Sequence, residues 1–247
     1  MKMHDLMTKA LPQMPAEIAA ALEQSRITGT VFERKNEILS DPVLQSEVGW
    51  KQLEDGSYLV SMTCPMPGIT PEMIAWWFWW HAQADERYQI WFPGAHLGIS
   101  YPKKQKAYFT QTHCPAFQPN THFPVEKIGS TTLPLRIDFV SPEEFGFSRA
   151  VMERSNIPLI VCGHVGAFRG LVIHTEMAHI FRQTDDGLFL ISRFWLGRTR
   201  KNPLLKKRII TEELAKDMAE HCCVEYHNLW EILPGLYEAY GTRRTTK

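Results

Sequence analysis

The chain has 247 residues, 44% of them hydrophobic and 22% charged, and its 27 basic and 27 acidic side chains cancel to a formal net charge of zero. That composition excludes a disordered, collagen-like or coiled-coil chain. The balanced charge leaves no electrostatic footprint for nucleic acid or an anionic membrane.

The length fits one large domain, or one and a half. The one basic cluster, Lys201, Lys206, Lys207 and Arg208, flanks an expected helix start and reads as a solvated face. The five cysteines, Cys64, Cys114, Cys162, Cys222 and Cys223, are odd in number and contain no C-x-x-C. They are no disulfide framework, so a reducing compartment is expected. The opening MKMHDLMTKALPQMP lacks the apolar core and small-residue cleavage site of a signal peptide. The longest apolar runs, Ile74–Trp80 and Ile157–Phe168, are too short to span a bilayer. A soluble, cytoplasmic protein is expected.

In chain order, Pro15–Gln24 is a first helix and Val31–Glu33 a short strand. Ser57–Cys64 alternates as a strand. Thr70-Pro71-Glu72 opens a helix, with Thr70 as cap, proline in the first turn and an acidic residue behind it. This helix runs through WWFWWH to His81 and holds four of the chain's 8 tryptophans. Such an aromatic excess builds either a core or the wall of an apolar pocket. Further strands are expected at Tyr88–Phe92, Ala107–His113, Phe123–Ile128, Leu135–Val140, Leu159–Val165, Leu171–Arg182 and Leu188–Leu196. Thr184–Gly187, with its Asp-Gly pair, joins the last two as a hairpin. Strands following one another without long helices between them predict an antiparallel sheet. From Pro203 to Leu233 the chain reads as one long helix, stopped by Pro234-Gly235. The fold class is therefore α+β: a small leading segment over residues 1–55, then a domain over 56–247 in which the sheet curls around the C-terminal helix and leaves a cavity.

That helix carries the chemistry. At about 100° per residue, Ile210, Leu214, Met218, Leu229 and Ile232 form one buried stripe, and His221 and Glu225 lie inside it. An unpaired buried carboxylate costs several kcal/mol. Two explanations stand: an i,i+4 ion pair, or a shared metal ion. Further ligands are available at His81, His96, His113, His122, Glu126, His164, Glu176 and His179. His122 and Glu126 repeat the H-x-x-x-E spacing, but spacing alone does not choose among them.

RYQIWFPGAH (87–96), PVEKIG (124–129), DDGLFLISRFWLG (185–197) and EHCCVEYHNLWEILPGLYEAYG (220–241), with WWFWWH before them, resemble the 2,4-diacetylphloroglucinol hydrolase family, which includes phloretin hydrolase. The resemblance implies a helix-grip, Bet v 1-like domain. It implies one Zn²⁺ per chain, held by His96, Glu126, His221 and Glu225, with Mn²⁺, Fe²⁺ or Co²⁺ as alternatives. The implied activity is hydrolysis of the carbon–carbon bond between an acyl group and a polyhydroxylated ring. Tyr88, His164 and His179 are its catalytic candidates, and Trp76, Trp77, Trp80, Tyr88, Ile99 and Arg193 its substrate pocket. The partner is then a small aromatic ketone, and a homodimer stays open. Two departures stand out: Ile99 where the resemblance places Asn, and His179 where it places Tyr. They alter the groups that meet the ring rather than the metal. The alternatives are a helix-grip binding protein for hydrophobic aromatic ligands without catalysis, and a zinc hydrolase of esters or lactones.

Overall fold

The structure, a computed structural model, describes residues 3–167, 172–198 and 210–241. The basic cluster at Lys201, Lys206, Lys207 and Arg208 and the expected helix start at Pro203 lie outside these residues. Among the described residues, eight strands make one sheet: β1 (Gly49–Gln52), β2 (Tyr58–Pro67), β3 (His96–Ser100), β4 (Asn120–Ile128), β5 (Thr131–Val140), β6 (Leu159–Ala167), β7 (Val172–Gln183) and β8 (Gly187–Leu196). Their spatial order is β1-β2-β8-β7-β6-β5-β4-β3 and every pairing is antiparallel. β3 to β8 form a meander. The β1–β2 hairpin docks on the free side of β8, in register from Tyr58↔Leu196 to Pro67↔Gly187. The Asp-Gly turn between β7 and β8 is closed by Thr184 N–H donating to the Gly187 carbonyl at 2.9 Å.

Alternation assigns each strand residue to a face. On β8, Leu188, Leu190, Phe194 and Leu196 join the core shared with the C-terminal helix, while Ile191 and Trp195 join a second core on the outer face. With both faces buried, β6 to β8 read as nearly continuous apolar runs. The outer face is covered by Ile27, Ile38, Leu39 and Leu44 together with Phe145 and Phe147. The expected strand at Val31–Glu33 is instead a 3₁₀ turn, Phe32–Arg34. It drives the Phe32 ring edge-on against Trp195 and Phe145, each at 5.2 Å, and that packing outweighs local strand preference. β1 belongs to the main sheet, so the expected division at residue 55 falls within the β1–β2 hairpin and the leading residues form part of the same layers.

Two other expected strands open as helices. Tyr88–Phe92 begins in a short helix, Asp85–Gln89, and continues as turn and bend, and Ala107–His113 begins in Lys106–Phe109 and continues likewise. Asp85 and Glu86 sit at the first turn, where a helix favours negative charge. The aromatic content of both segments serves burial, with Tyr88, Trp91 and Phe109 all in the core. The tryptophan helix, Pro71–Trp80, starts as expected, with Thr70 Oγ1 accepting from Met73 N–H.

The C-terminal helix spans Glu212–Leu236 and packs against β2 and β1. Thr211 caps its start at Glu212: Thr211 Oγ1 accepts from Leu214 N–H at 3.1 Å. It also runs through Pro234 instead of ending there, and closes in a π turn, Tyr237–Gly241. Proline removes one rung of the helix ladder, but buried Leu233 and Leu236 hold the last turn in place. Losing a side-chain cap costs about 1 kcal/mol, or roughly 2–4 °C in a chain of this size. Thr211→Ala should lower Tm by that amount in a calorimetric scan, and an unchanged Tm would show that the cap contributes nothing.

Candidate metal centre and its cavity

Between the inner face of β4 to β8 and the C-terminal helix lies a cavity of about 170 Å³. A dry protein cavity of about 150 Å³ suffices for benzene, so the space is about the size of one aromatic ring. Its walls are mostly apolar and include Phe78, Trp91, Phe139, Met177 and Phe194. From the helix, Leu214, Met218, His221 and Glu225 face it, at i, i+4, i+7 and i+11.

At one corner His96, His221 and Glu225, all buried, bring one donor atom each within 4.8 Å of one another. His96 Nε2 lies 3.3 Å from His221 Nε2 and 3.5 Å from Glu225 Oε2, and His221 Nε2 lies 3.9 Å from the same oxygen. His96 Nδ1 donates to the Tyr88 carbonyl at 3.3 Å, which leaves Nε2 as a lone pair. Histidine ligands use backbone carbonyls in this way to hold the ring and fix its tautomer. The neighbouring Lys127 backbone acts on His221 against burial, raising its proton affinity. Burial holds His96 well below the usual imidazole range and His221 down at about 4, so neither ring carries its own positive charge at neutral pH. Two neutral imidazoles and a carboxylate oxygen facing one another suit a cation between them, and the donor set fits a divalent metal ion.

Glu126 sits beside this group. It is the cross-strand partner of His96, so both side chains point to the same face. Its carboxylate accepts a hydrogen bond from the Tyr88 hydroxyl. Burial pushes Glu126 up to about 7, against the Tyr88 hydrogen bond, which lowers it. Burial and the same carboxylate push Tyr88 well above the phenol range, and burial with the neighbouring Glu126 does the same to Glu225. The Tyr88 ring lies flat on His96, centroids 4.1 Å apart and 3° from parallel. A register shift between His96 and Gly98 makes Leu97 a bulge. It re-phases the strand, so that Ile99 as well as His96 turns inward.

The remaining expected site residues divide. Tyr88, Ile99 and His179 line the cavity, and His179 Nδ1 lies 2.9 Å from Ser192 Oγ. Trp76, Trp77 and Trp80 are not among the lining residues; they pack on one another and on Tyr237 in the core, and Phe78 and Trp91 form the aromatic wall in their place. Arg193 has the odd parity of β8 and points to the outer face, where it donates to the carbonyls of Ser192 and Leu44. His164 has the even parity of Ile160 and Cys162 and likewise faces outward, 2.5 Å from Glu176 Oε2, with its back to the cavity. His81 and His122, weighed in the sequence only as metal ligands, also line the cavity, and Trp91 is a lining residue that sequence reading did not single out. Strand parity would have found His122, which lies four residues before Glu126 on β4.

The arrangement sets three buried donor groups that fit a divalent metal ion against an apolar cavity. A sequence model of the 2,4-diacetylphloroglucinol (DAPG) hydrolase PhiG domain matches residues 30–238, and the chain belongs to that family. It is 30% identical to a 2,4-diacetylphloroglucinol hydrolase of Pseudomonas protegens over 234 residues, covering 85% of this chain and 74% of that one. It is also 30% identical to a phloretin hydrolase of Eubacterium ramulus over 242 residues, covering 92% and 86%.

The Tyr88–Glu126 contact makes a measurable prediction. The folded value of Glu126, about 7, lies above the unfolded carboxyl value of about 4.3. The folded state therefore binds this proton more tightly, and its contribution to stability is full below about pH 4 and lost as pH rises to about 7. Tyr88→Phe removes the interaction that lowers Glu126, so its midpoint should move up. Infrared titration of the carboxyl band in metal-free protein reads both values, and an unmoved midpoint would contradict the contact.

Proposed function

We propose that this chain is a zinc-dependent hydrolase of the carbon–carbon bond joining an acyl group to a polyhydroxylated aromatic ring. The carrying observation is the convergence of His96, His221 and Glu225, the last two lining a cavity sized for one ring, in a chain of this family. Glu126, cross-strand from His96, is the fourth donor in this reading. The fold is read as helix-grip, of the Bet v 1-like kind. The five free cysteines fit a reducing compartment, and the cytoplasm is part of the proposal.

Bound there, zinc supplies Lewis acidity toward a carbonyl oxygen and toward water. The chain's own residues bind, orient and move protons. In the overall reaction water gives its hydroxyl to the acyl carbon and a proton to the ring carbon, and the electron pair of the broken bond goes to the ring. A ring with 1,3-hydroxyls accepts that pair because its keto tautomer places the charge on oxygen. Tyr88 keeps its phenolic proton at neutral pH and directs it to Glu126, while His179 stands in the wall with Nδ1 against Ser192. These groups hold or deliver the ring proton. The apolar walls keep bulk water from the departing ring.

Ile99 cannot hydrogen-bond a phenolic oxygen through its side chain. A buried oxygen left without its partner costs about 1–3 kcal/mol, roughly tenfold to hundredfold in rate. Diacetylphloroglucinol should therefore not be the best substrate in a panel of mono- and diacyl phenols ranked by kcat/KM from free acid released. If it ranks first, the assigned role of Ile99 and His179 fails while the hydrolase assignment stands.

Protein purified without a histidine tag should contain close to one zinc per chain by elemental analysis. Glu225→Gln keeps the side-chain volume but is a poor ligand, and should lose both zinc and turnover with the fold intact by circular dichroism. Unchanged metal content and turnover with a lowered Tm would make His221 and Glu225 a structural pair. A zinc-free protein that still takes up aromatic ketones would be a carrier.

A further inference from the structure

The cavity has a second polar corner, away from the metal ligands. His81 closes the tryptophan helix and is 1% exposed. Its Nδ1 lies 2.8 Å from the Trp77 carbonyl, which fixes the proton there and leaves Nε2 as a bare acceptor. His122, 2% exposed on β4, meets the His81 ring edge-on at 5.3 Å. Among the described residues its buried Nε2 has no hydrogen-bond partner. Both rings line the cavity, and the surroundings of His122 are otherwise aromatic, with Phe109 at 5.6 Å and Phe139 at 4.8 Å.

Two imidazoles with unspent nitrogens on an apolar wall are not explained by packing, since Leu or Phe would fill the space without a buried unpaired nitrogen. They are also not part of the metal group, which is His96, His221 and Glu225. Burial keeps both neutral, His81 down at about 3 and His122 well below the usual imidazole range. A neutral ring with a bare nitrogen is a poor anion site and a good acceptor for a hydroxyl proton. The position is also connected to the metal corner. The His81 ring lies against Tyr88 at 5.5 Å, and Tyr88 lies on His96.

We propose that His81 and His122 are specificity-determining residues that bind ring hydroxyls of the substrate, His81 Nε2 accepting from one and His122 meeting a second, so that the acyl group is turned toward His96, His221 and Glu225. The inference rests on the hydrolase reading for the acyl group, but the ring contact can be measured apart from turnover. A flat ring with hydroxyls on one side and an acyl group on the other has only one orientation that satisfies both corners.

The test uses the full-length, zinc-loaded protein with phloroglucinol and, as a ring of similar size without hydroxyl donors, 1,3,5-trifluorobenzene. In wild-type protein carrying ¹⁵N-labelled histidine, phloroglucinol should shift the lone-pair nitrogen resonance of His81, and trifluorobenzene should not. By calorimetric titration, His122→Phe should weaken phloroglucinol roughly tenfold or more and leave trifluorobenzene within about twofold. His122→Gln, which restores a polar group, should recover part of the loss. Equal histidine shifts with both rings, or phloroglucinol affinity unchanged in His122→Phe, overturns the proposal. Should His122→Phe fail to fold, the wild-type nitrogen shifts decide alone. Ring binding that depends on these histidines in a protein without zinc or turnover would uphold this inference and sink the hydrolase reading instead.

Discussion

The site depends on one tether. Trp91 Nε1–H donates to the carbonyl of Glu225 at 2.9 Å, and the Asn228 side-chain amide donates to the carbonyls of Ile90 and Trp91 at 3.1 and 2.8 Å. These three hydrogen bonds fasten the irregular segment after the tryptophan helix to the C-terminal helix, one turn around the carboxylate that faces the cavity. The segment carries Tyr88 and delivers the chain into His96. Without the tether, His96 would rest on an edge strand with fewer ties to the C-terminal helix, and edge strands are the part of a sheet most free to slip. Because it ends on backbone carbonyls, it fixes distance and direction together.

Around that tether the structure separates two kinds of aromatic residue. Trp76, Trp77 and Trp80 fill volume between the helix they belong to and the chain's end, where Trp80 also meets Tyr240. Phe78 and Trp91 meet the cavity. A single helix thus carries one set of aromatics packed in the core and one, Phe78, that meets the cavity, while Glu72 and Ala75 stay exposed.

Much of this was legible in the residues. The strands from β4 to β8 show because each alternates or runs apolar between clear turns, and the hairpin shows in its Asp-Gly. His221 and Glu225 show because a helical period places them among leucines. What was hidden depends on contacts between distant segments. The Tyr88 and Phe109 segments carry strand-like aromatics yet fold as single helical turns, since the core they fill fixes their backbone. His164 and Arg193 look like site residues by motif, and only the pairing of β6 and β8 shows which face they take. The resemblance named His96, His221 and Glu225, which the fold brings within 4.8 Å of one another, and Glu126, which lies outside that group; it did not show that Phe78, and not Trp76, Trp77 or Trp80, lines the cavity.

The bulge at Leu97 has a consequence for how this chain is compared with others. It is a one-residue phase shifter: upstream of it His96 faces in, and downstream the inward positions are offset by one. Any insertion or deletion between His96 and Ile99 would exchange the residue presented to the ligand for its neighbour without touching a single conserved-looking motif. Two relatives with identical letters on either side of this point can therefore offer different chemistry to the same ring.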